Sequence, residues 1–391
     1  MEAHQKRDKE QMAQTLLTAC KQCRKWRGFK NGAVGVYGKS MKVCDIFCGA
    51  GGFSYGFAKD EYFELVVACD IDKNATMSYQ ANHPYTKTIC KDISKLNNAK
   101  LKEFNNIDIL LGGPPCQSYS TLGKRQMDTR ANLFREYLRV LESLAPKAFI
   151  FENVVGLLSM QKGRLFSYIC ENFEKLGYKI YYKILNAADF GVPQIRQRVI
   201  IIGIQQKFNK DFTFPQATHK DFVSLEQAID DLPPIKSGEN GNHLGYRYEP
   251  CNDFLHFVRK SKILSEHESP KNNANLIQIM RLLQDGQCKD DLPLNVRPKS
   301  GYTNTYAKMW WKKPAPTITR NFATPSSSRC IHPRDSRALS IREGARLQSF
   351  PDDYIFCGTS SDKKLQIGNA VPPLVSMALA KAIKDYFKGG K

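Results

Sequence analysis

The sequence predicts an α/β fold in which a doubly wound, mostly parallel sheet carries a second, smaller and irregular lobe. From Lys42 to about residue 204, short apolar runs alternate with segments whose apolar residues repeat at helical spacing. Several of the apolar runs are continuous, which is typical of strands covered on both faces. Alternating strands and helices favour a parallel sheet wound in both directions. Between residues 205 and 335 this rhythm fails, and Pro, Asn, Ser and aromatic residues dominate without a clean period.

Six apolar runs are the predicted strands of the sheet. They are Val43–Phe47, Leu65–Cys69, Ile107–Leu111, Ala148–Phe151, Lys179–Leu185 and Val199–Ile204. Between them, residues 133–144 and 165–176 carry apolar side chains at helical spacing, and Gly177 is placed to end the second helix.

The spacing of apolar residues and the local composition divide the chain into four regions. They are a basic N-terminal extension (1–40), the sheet domain (41–204), the irregular lobe (205–335) and a segment (336–391) that returns to the sheet domain. The returning segment is predicted to hold a short helix at Ser340–Gln348 and an amphipathic helix at Pro373–Tyr386.

Composition narrows the class of protein and of partner. The 391 residues include 58 Lys and Arg against 38 Asp and Glu, a net charge of +20, and 42% are apolar. This composition predicts a globular chain whose partner is a polyanion, because neutralising phosphates releases counterions. No apolar run is long enough to cross a membrane, and the N-terminus lacks a signal core. The twelve scattered cysteines favour reduced thiols in a cytosolic or nuclear compartment.

A glycine-rich turn follows the first predicted strand and indicates a cofactor site. The stretch Asp45–Ser54 contains three glycines and one alanine where strand one should turn into a helix. Asp70 ends the second strand about twenty residues later, where an acid can accept hydrogen bonds from ribose. Asp92 follows the next short segment. The glycine spacing does not fit a dinucleotide fingerprint, so S-adenosylmethionine is favoured over NAD, although each acid alone could simply cap a helix.

Four residues on later strand ends carry candidate chemistry. Cys116 follows Pro114 and Pro115, which hold it in a stiff loop after a strand, where a thiolate can act as a nucleophile. Glu152 directly follows an apolar strand, so it tends towards a raised pKa and can donate a proton to a ring nitrogen. Arg196 and Arg198 alternate onto one face of an extended segment and suit a carboxylate, a phosphate or a base carbonyl. Each residue also has a purely structural alternative. Cys116 could be a small buried thiol, Glu152 could cap the following turn, and the two arginines could simply be solvated.

Taken together and in this order, these segments resemble the DNA (cytosine-5)-methyltransferase family of bacterial restriction–modification systems. The resemblance covers roughly residues 41–204 and 314–391. The segments that carry it are Asp45–Gly52, Asp70, Asp92, Pro114–Gln117, Phe151–Val154, Gln194–Arg198, Arg342–Pro351 and Gly368-Asn369. The pair Pro-Cys-Gln and Glu-Asn-Val in that order is highly specific.

The resemblance implies a catalytic set on an S-adenosylmethionine-dependent methyltransferase fold. Cys116 would attack C6 of a cytosine flipped out of the duplex, and Glu152 would bind N3 and the exocyclic amine. Arg198, and with it Arg196, would hold the base carbonyl and the Glu152 carboxylate. The residues implied to contact S-adenosylmethionine, which becomes S-adenosylhomocysteine, are Phe47, Gly49, Gly51, Asp70, Ile71, Asp92 and Asn369. No metal site is expected, because the Cys20 and Cys23 pair has no second pair at suitable spacing.

The same resemblance gives roles and partners to the regions. Residues 41–204 would be catalytic and cofactor-binding, 205–335 a DNA-recognition lobe, and 336–391 a hinge helix and C-terminal helix. We expect a monomer acting on double-stranded DNA in a bacterial, nucleoid-associated cytoplasm, with no membrane partner and with a cognate restriction endonuclease as a candidate partner. Two alternatives stay open: a transfer-RNA cytosine-5 methyltransferase, and a non-catalytic nucleic-acid-binding regulator of the same fold. The long lobe favours DNA, because reading a duplex sequence needs extra loops.

Overall fold

The protein is described here by a computed structural model that covers residues 40–104, 106–115, 132–299, 301–302 and 304–389. The N-terminal extension up to residue 39 and the predicted nucleophile Cys116 lie outside the described residues.

A seven-stranded sheet is the centre of the molecule, with a two-stranded sheet in the lobe. The strands of the large sheet are β1 Met41–Ile46, β2 Phe63–Asp70, β3 Lys87–Cys90, β4 Ile109–Gly112, β5 Ala148–Val154, β6 Tyr178–Asn186 and β7 Gln197–Gln205. The small sheet pairs β8 Ala307–Lys308 with β9 Arg329–Ile331. The large sheet has the order β3-β2-β1-β4-β5-β7-β6, and β7 runs antiparallel to both of its neighbours. The predicted mostly parallel α/β sheet is confirmed, and all six predicted strands are present.

Eleven α-helices surround or follow these strands in the described part of the chain. They are α1 Tyr55–Ala58, α2 Lys73–Asn82, α3 Asn98–Lys102, α4 Asn132–Leu144, α5 Arg164–Lys175, α6 Leu225–Ile229, α7 Asp253–Val258, α8 Ala274–Leu282, α9 Ile341–Leu347, α10 Ser360–Asn369 and α11 Pro373–Lys388. Gly177 has φ +85°, as expected of a residue that stops α5. Searching the described residues finds no helix with both the length and the apolar character that a membrane crossing needs.

Alternating side chains of the central strands build one apolar core on each face of the sheet. Ile109, Leu111 and Ile150 point to one face and pack in the cluster that includes α11. Leu110 and Phe149 point to the other and pack against α4 and α5. All five side chains are fully buried, which explains why their strands read as continuous apolar runs.

The irregular lobe shares its core with the returning segment. Side chains of α6 and α7 lie in one apolar cluster with Ala345 and Leu347 of α9. The same cluster reaches Ala50 and Tyr55 beside the first strand turn. The lobe is therefore anchored through α9 to the sheet domain.

Buried ion pairs accompany this shared core. Arg346, on α9, donates to Asp352 at 2.7 and 2.9 Å and also to both carboxylate oxygens of Asp231. Arg337 holds Glu343 through two hydrogen bonds of 2.8 Å. All five side chains are about 1% exposed or less. Because these charges are removed from water, each depends strongly on its partner.

Candidate active site

The carboxyl ends of three parallel strands meet side by side. Gly112, at the end of β4, pairs with Ile46 of β1 on one side and with Phe151 of β5 on the other. The segments that begin at Phe47, Gly113 and Glu152 therefore leave the sheet at the same edge, where open α/β sheets bind ligands.

Glu152 and Arg198 form an ion pair at this edge. Val154 pairs with Arg198 across the antiparallel β5 and β7, and Glu152 shares the face of Val154, so the two charged side chains are diagonal neighbours. The Nε atom of Arg198 lies 3.0 Å from Oε1 of Glu152. Burial raises the pKa of Glu152 above its ordinary value, although Arg198 and then Arg196 oppose the shift. The pKa of Glu152 therefore lies closer to neutral pH than the pKa of a glutamate at the surface.

The loop that leads to Cys116 packs against Glu152. Asn153 donates from Nδ2 to the carbonyl oxygen of Pro114 at 3.0 Å. A Cβ atom added to Gly113 would lie 3.1 Å from Oε2 of Glu152, so glycine lets the backbone pass close to the carboxyl group. Asn153 was quoted with its motif, but sequence reading gave it no role; it fixes the loop two residues before the predicted nucleophile.

The glycine turn adopts backbone conformations that side chains disfavour. Phe47, Gly49 and Gly51 have φ of 58°, 53° and 96°. The N–H of Gly49 donates to Oδ2 of Asp70 at 2.9 Å, which joins the turn to the end of β2. A Cβ atom added to Gly49 would meet no described atom within 4 Å. The turn thus presents open space above its backbone at Gly49.

Three residues predicted to bind the cofactor, Asp70 and Ile71 at the end of β2 and Asp92 after β3, lie in different environments. Asp70 accepts hydrogen bonds from Gly49 and Asp72 through its two oxygens, and burial raises its pKa. Ile71 is 70% exposed, an unusual exposure for a large apolar side chain. Asp92 accepts from the backbone and the hydroxyl of Ser94, so it does cap the following turn.

Asn369 lies on a turn that touches the glycine loop. It is the last residue of α10 and is exposed. A Cβ atom added to Gly52 would lie 2.4 Å from the carbonyl oxygen of Val371, so the two backbones are in close contact. Val371 also lines one small cavity with Glu152, Arg196 and Arg198.

Arg196 does not share the contacts of Arg198, which corrects the expectation that both hold the carboxylate. Its guanidinium donates to the carbonyl oxygens of Ile318, Gly368 and Ala370 at 2.9, 3.0 and 3.2 Å. Its side chain is 2% exposed. Alternation does bring Arg196 to the face of Arg198, but nearby carbonyl groups, which sequence spacing does not reveal, accept from Nη1 and Nη2, and the buried Nε has no hydrogen-bond partner within the described residues.

Comparison with known proteins agrees with this geometry. A family model described as C-5 cytosine-specific DNA methylase matches residues 41–385. The chain belongs to that family. It is 34% identical to the Type II methyltransferase M1.HphI of Haemophilus parahaemolyticus, with 89% of this chain and 88% of the relative covered. It is 38% identical to M.DdeI of Desulfomicrobium norvegicum, with 89% of each covered.

A solved structure is also similar. It is described as a DNA modification methyltransferase encoded within a prophage (E. coli), with a TM-score of 0.74 and 25% identity over 89% of this chain and 100% of that one. The methylase is therefore a DNA cytosine-5-methyltransferase of the restriction–modification type. These matches favour the DNA enzyme over the transfer-RNA enzyme and over the non-catalytic regulator.

Proposed function

We propose that the methylase transfers a methyl group from S-adenosylmethionine to C5 of a cytosine flipped out of a short duplex sequence, through a temporary bond between Cys116 and C6. One observation carries this proposal: Glu152, paired with Arg198, lies against Gly113, and the adjacent Asn153 holds Pro114, in the loop that continues to Cys116. This arrangement suits addition to a pyrimidine ring, because it combines an acid of raised pKa and a fixed guanidinium with a thiol on the adjacent loop.

Each bond change can be assigned to an atom. The Cys116 thiolate adds to C6, and the electron pair of the C5–C6 double bond makes C5 a nucleophile. C5 would take the methyl group of S-adenosylmethionine, whose methyl–sulfur bond breaks so that the sulfur keeps the electron pair and S-adenosylhomocysteine leaves. Loss of the C5 proton to a base then restores the double bond and expels the thiolate, so the enzyme is regenerated and the base is 5-methylcytosine.

Glu152 and Arg198 would stabilise the charge that develops on the ring. Protonated Glu152 donates to N3 as the thiolate adds, and its other oxygen accepts from the exocyclic amine. Arg198 keeps Glu152 oriented through its Nε atom and donates from Nη1 to the carbonyl oxygen of Gln197, so Nη2 would donate to the base carbonyl. A buried pair does this better than a solvated one, because less solvent must reorganise.

The cofactor would lie over the glycine turn. The open space above Gly49 leaves room for it, and the carboxylate oxygens of Asp70 can accept further hydrogen bonds from ribose. The exposed Ile71 offers an apolar surface to adenine. The full proposed set is Phe47, Gly49, Gly51, Asp70, Ile71, Asp92 and Asn369.

The wider roles follow from the regions of the chain. We assign residues 41–204 to catalysis and cofactor binding, 205–335 to recognition of the duplex, and 336–391 to the hinge and C-terminal helices. The relatives are Type II methyltransferases, which supports a monomer on double-stranded DNA in a bacterial cytoplasm, paired with an endonuclease of the same specificity.

Labelled methyl transfer tests the function. The purified enzyme, S-adenosylmethionine with a labelled methyl group, and either plasmid DNA or bulk transfer RNA are incubated, and bisulfite sequencing of the DNA locates the product. We expect label in the plasmid at cytosines of one short sequence. Label in transfer RNA alone, or plasmid label outside C5 of cytosine, contradicts the proposal.

Replacing Glu152 tests the role of its carboxyl group. Glu152→Gln keeps the shape but cannot transfer a proton, so kcat should fall by roughly 10²–10⁴-fold. Glu142→Gln, on the exposed face of α4, is the matched control and should keep its kcat. If Glu152→Gln turns over at the rate of the control, Glu152 has no part in the chemistry.

A further inference from the structure

The segment before β7, residues 193–196, contacts three parts of the chain that are far apart in sequence. They are residues 315–318 at the closing end of the lobe, Leu347 at the end of α9, and the turn at residues 368–370. Ala315 donates to Pro193 and accepts from Ile195, in an isolated parallel bridge. The side-chain amide of Gln194 accepts from the N–H of Ile318 and donates to the carbonyl oxygen of Leu347, at the end of α9. The segment therefore holds both the closing end of the lobe and the hinge helix.

Arg196 extends these contacts to the turn that carries Asn369. One guanidinium nitrogen, Nη1, donates to Ile318, where the lobe returns to the sheet domain. The other, Nη2, donates to Gly368 and Ala370, the residues on either side of Asn369. A single planar group thus fixes the lobe end with one nitrogen and the turn with the other.

The lobe end and this turn are also in direct contact. A Cβ atom added to Gly368 would lie 2.2 Å from the backbone nitrogen of Arg320, so the backbones touch with no side chain between them. On its other side the turn meets the glycine loop, through Gly52 and Val371. Packed elements of this kind move together rather than independently.

From these contacts we infer that Arg196 is a positioning residue that couples occupation of the lobe by duplex DNA to the affinity for the cofactor. The inference rests on the proposed function, because it takes the turn at Asn369 and the glycine loop as the cofactor site. DNA that orders the lobe end also orders the turn through Arg196, and the cofactor then binds a turn that is already ordered. Linkage makes the effect reciprocal, so the cofactor tightens DNA binding by the same factor.

Lysine cannot replace arginine in this role. Its single ammonium group is a point donor, whereas the guanidinium spans two nitrogens in a fixed plane and reaches two segments at once. Arg196→Lys keeps the positive charge near Glu152 but loses the bridge. Arg297→Lys is the matched control, because Arg297 also binds carbonyl groups, those of Asp290 and Leu292, but both lie within the lobe.

The experiment measures the dissociation constant of S-adenosylhomocysteine with and without saturating duplex DNA carrying the methylation site found by bisulfite sequencing. In the wild type and in Arg297→Lys, DNA should tighten binding on the order of tenfold, a typical coupling factor. In Arg196→Lys the ratio should fall, because only the direct backbone contact at Gly368 then joins the lobe end to the turn. A purely structural role would weaken both constants equally and leave the ratio unchanged, which overturns the inference, as does a wild-type ratio of one.

A measurement on the wild type alone keeps the inference testable if Arg196→Lys does not fold. Without cofactor, DNA should slow amide hydrogen exchange in residues 367–371 as well as in 315–320. Slowing in 315–320 alone means that Arg196 does not transmit the effect. Absence of any binding of S-adenosylhomocysteine to the wild type refutes the proposed function itself, and the inference falls with it.

Discussion

The sheet domain and the lobe with its hinge helix are stabilised by different means. In the sheet, alternating apolar side chains such as Leu111 and Phe149 fill two cores, one on each face. In the hinge, Arg337, Arg342 and Arg346 are among the largest fully buried side chains of the described residues, and they hold acids and carbonyl groups. Regular strands satisfy their own backbone, whereas irregular loops need side chains to do so. Geometry in the lobe therefore depends on buried charge pairing in addition to its apolar cluster.

Buried acids in the two regions show the same contrast. Burial raises the pKa of Asp45 in β1 to about 7, although Ser54 donates to it. Its Oδ1 atom has no hydrogen-bond partner within the described residues. Burial alone would also raise the pKa of Asp352, but Arg346 and then Arg342 lower it below its usual value. The hinge compensates its buried charge, and the sheet edge does so only in part.

The largest expected effect comes from removing one partner of the hinge network. Arg346→Met removes the closest cationic partner of the buried Asp231 and Asp352 and leaves only the longer contacts to Arg259 and Arg342, which should lower the free energy of unfolding by about 3–5 kcal/mol. Two of the three tryptophans of the chain, Trp310 and Trp311, lie in the lobe. In urea, the fluorescence transition should therefore move to lower concentration than the transition seen by far-ultraviolet circular dichroism.

The control is an exposed pair in the same lobe. Arg247→Met removes the bond to Asp230, whose partners are 46% and 31% exposed, and should cost about 0–1 kcal/mol. Equal losses for the two arginine variants would show that buried charge pairing does not dominate the lobe.

A slightly smaller effect is expected in the sheet. Leu111→Ala empties part of a fully buried position and should cost about 2–5 kcal/mol through lost transfer energy and a residual cavity. Fluorescence and circular dichroism should shift together here, because the sheet supports both regions. Leu294→Ala, at an 83% exposed position of the lobe, is the matched control and should leave the urea midpoint unchanged. Separate transitions in Leu111→Ala would contradict this picture of the sheet.

The last expected effect is a pH dependence at Asp45. Its pKa is about 7 in the folded state against 3.8 ordinarily, so the folded protein keeps a proton that the unfolded chain loses. The free energy of unfolding should therefore decrease as pH rises from about 4 to about 7 and level off above that range. Asp45→Asn removes this contribution, so its advantage over the wild type should grow between pH 5 and pH 7.5 in urea titrations. A constant difference across that range would mean that Asp45 is ionised in the folded protein.

Regular elements could be predicted from the sequence, and the lobe could not. The strand Ala148–Val154 could be predicted from a continuous apolar run, because apolar clusters cover both of its faces. The edge strand Lys87–Cys90 was not predicted as a strand, because it is short and only partly buried. The lobe helices span five to nine residues, too few turns to show a helical period, and tertiary contacts decide where they form.

The candidate site was predictable where chemistry and strand ends coincide. Glu152 and Arg198 meet because adjacent antiparallel strands place them diagonally, and the sequence motifs already marked both. Alternation placed Arg196 on the face of Arg198, and the family resemblance implied the same role for it. Its true partners are carbonyl groups of residues 318, 368 and 370, which lie more than a hundred residues away and leave no signal in a single sequence.

The most direct test of the account is a covalent trap on DNA whose target cytosine is replaced by 5-fluorocytosine. Fluorine at C5 cannot leave as a proton does, so elimination of the thiolate is blocked after methyl transfer. With S-adenosylmethionine present, the wild-type enzyme should remain bound to the DNA on a denaturing gel, and Cys116→Ala should not. No adduct with the wild type, or an adduct that persists in Cys116→Ala, would contradict the mechanism.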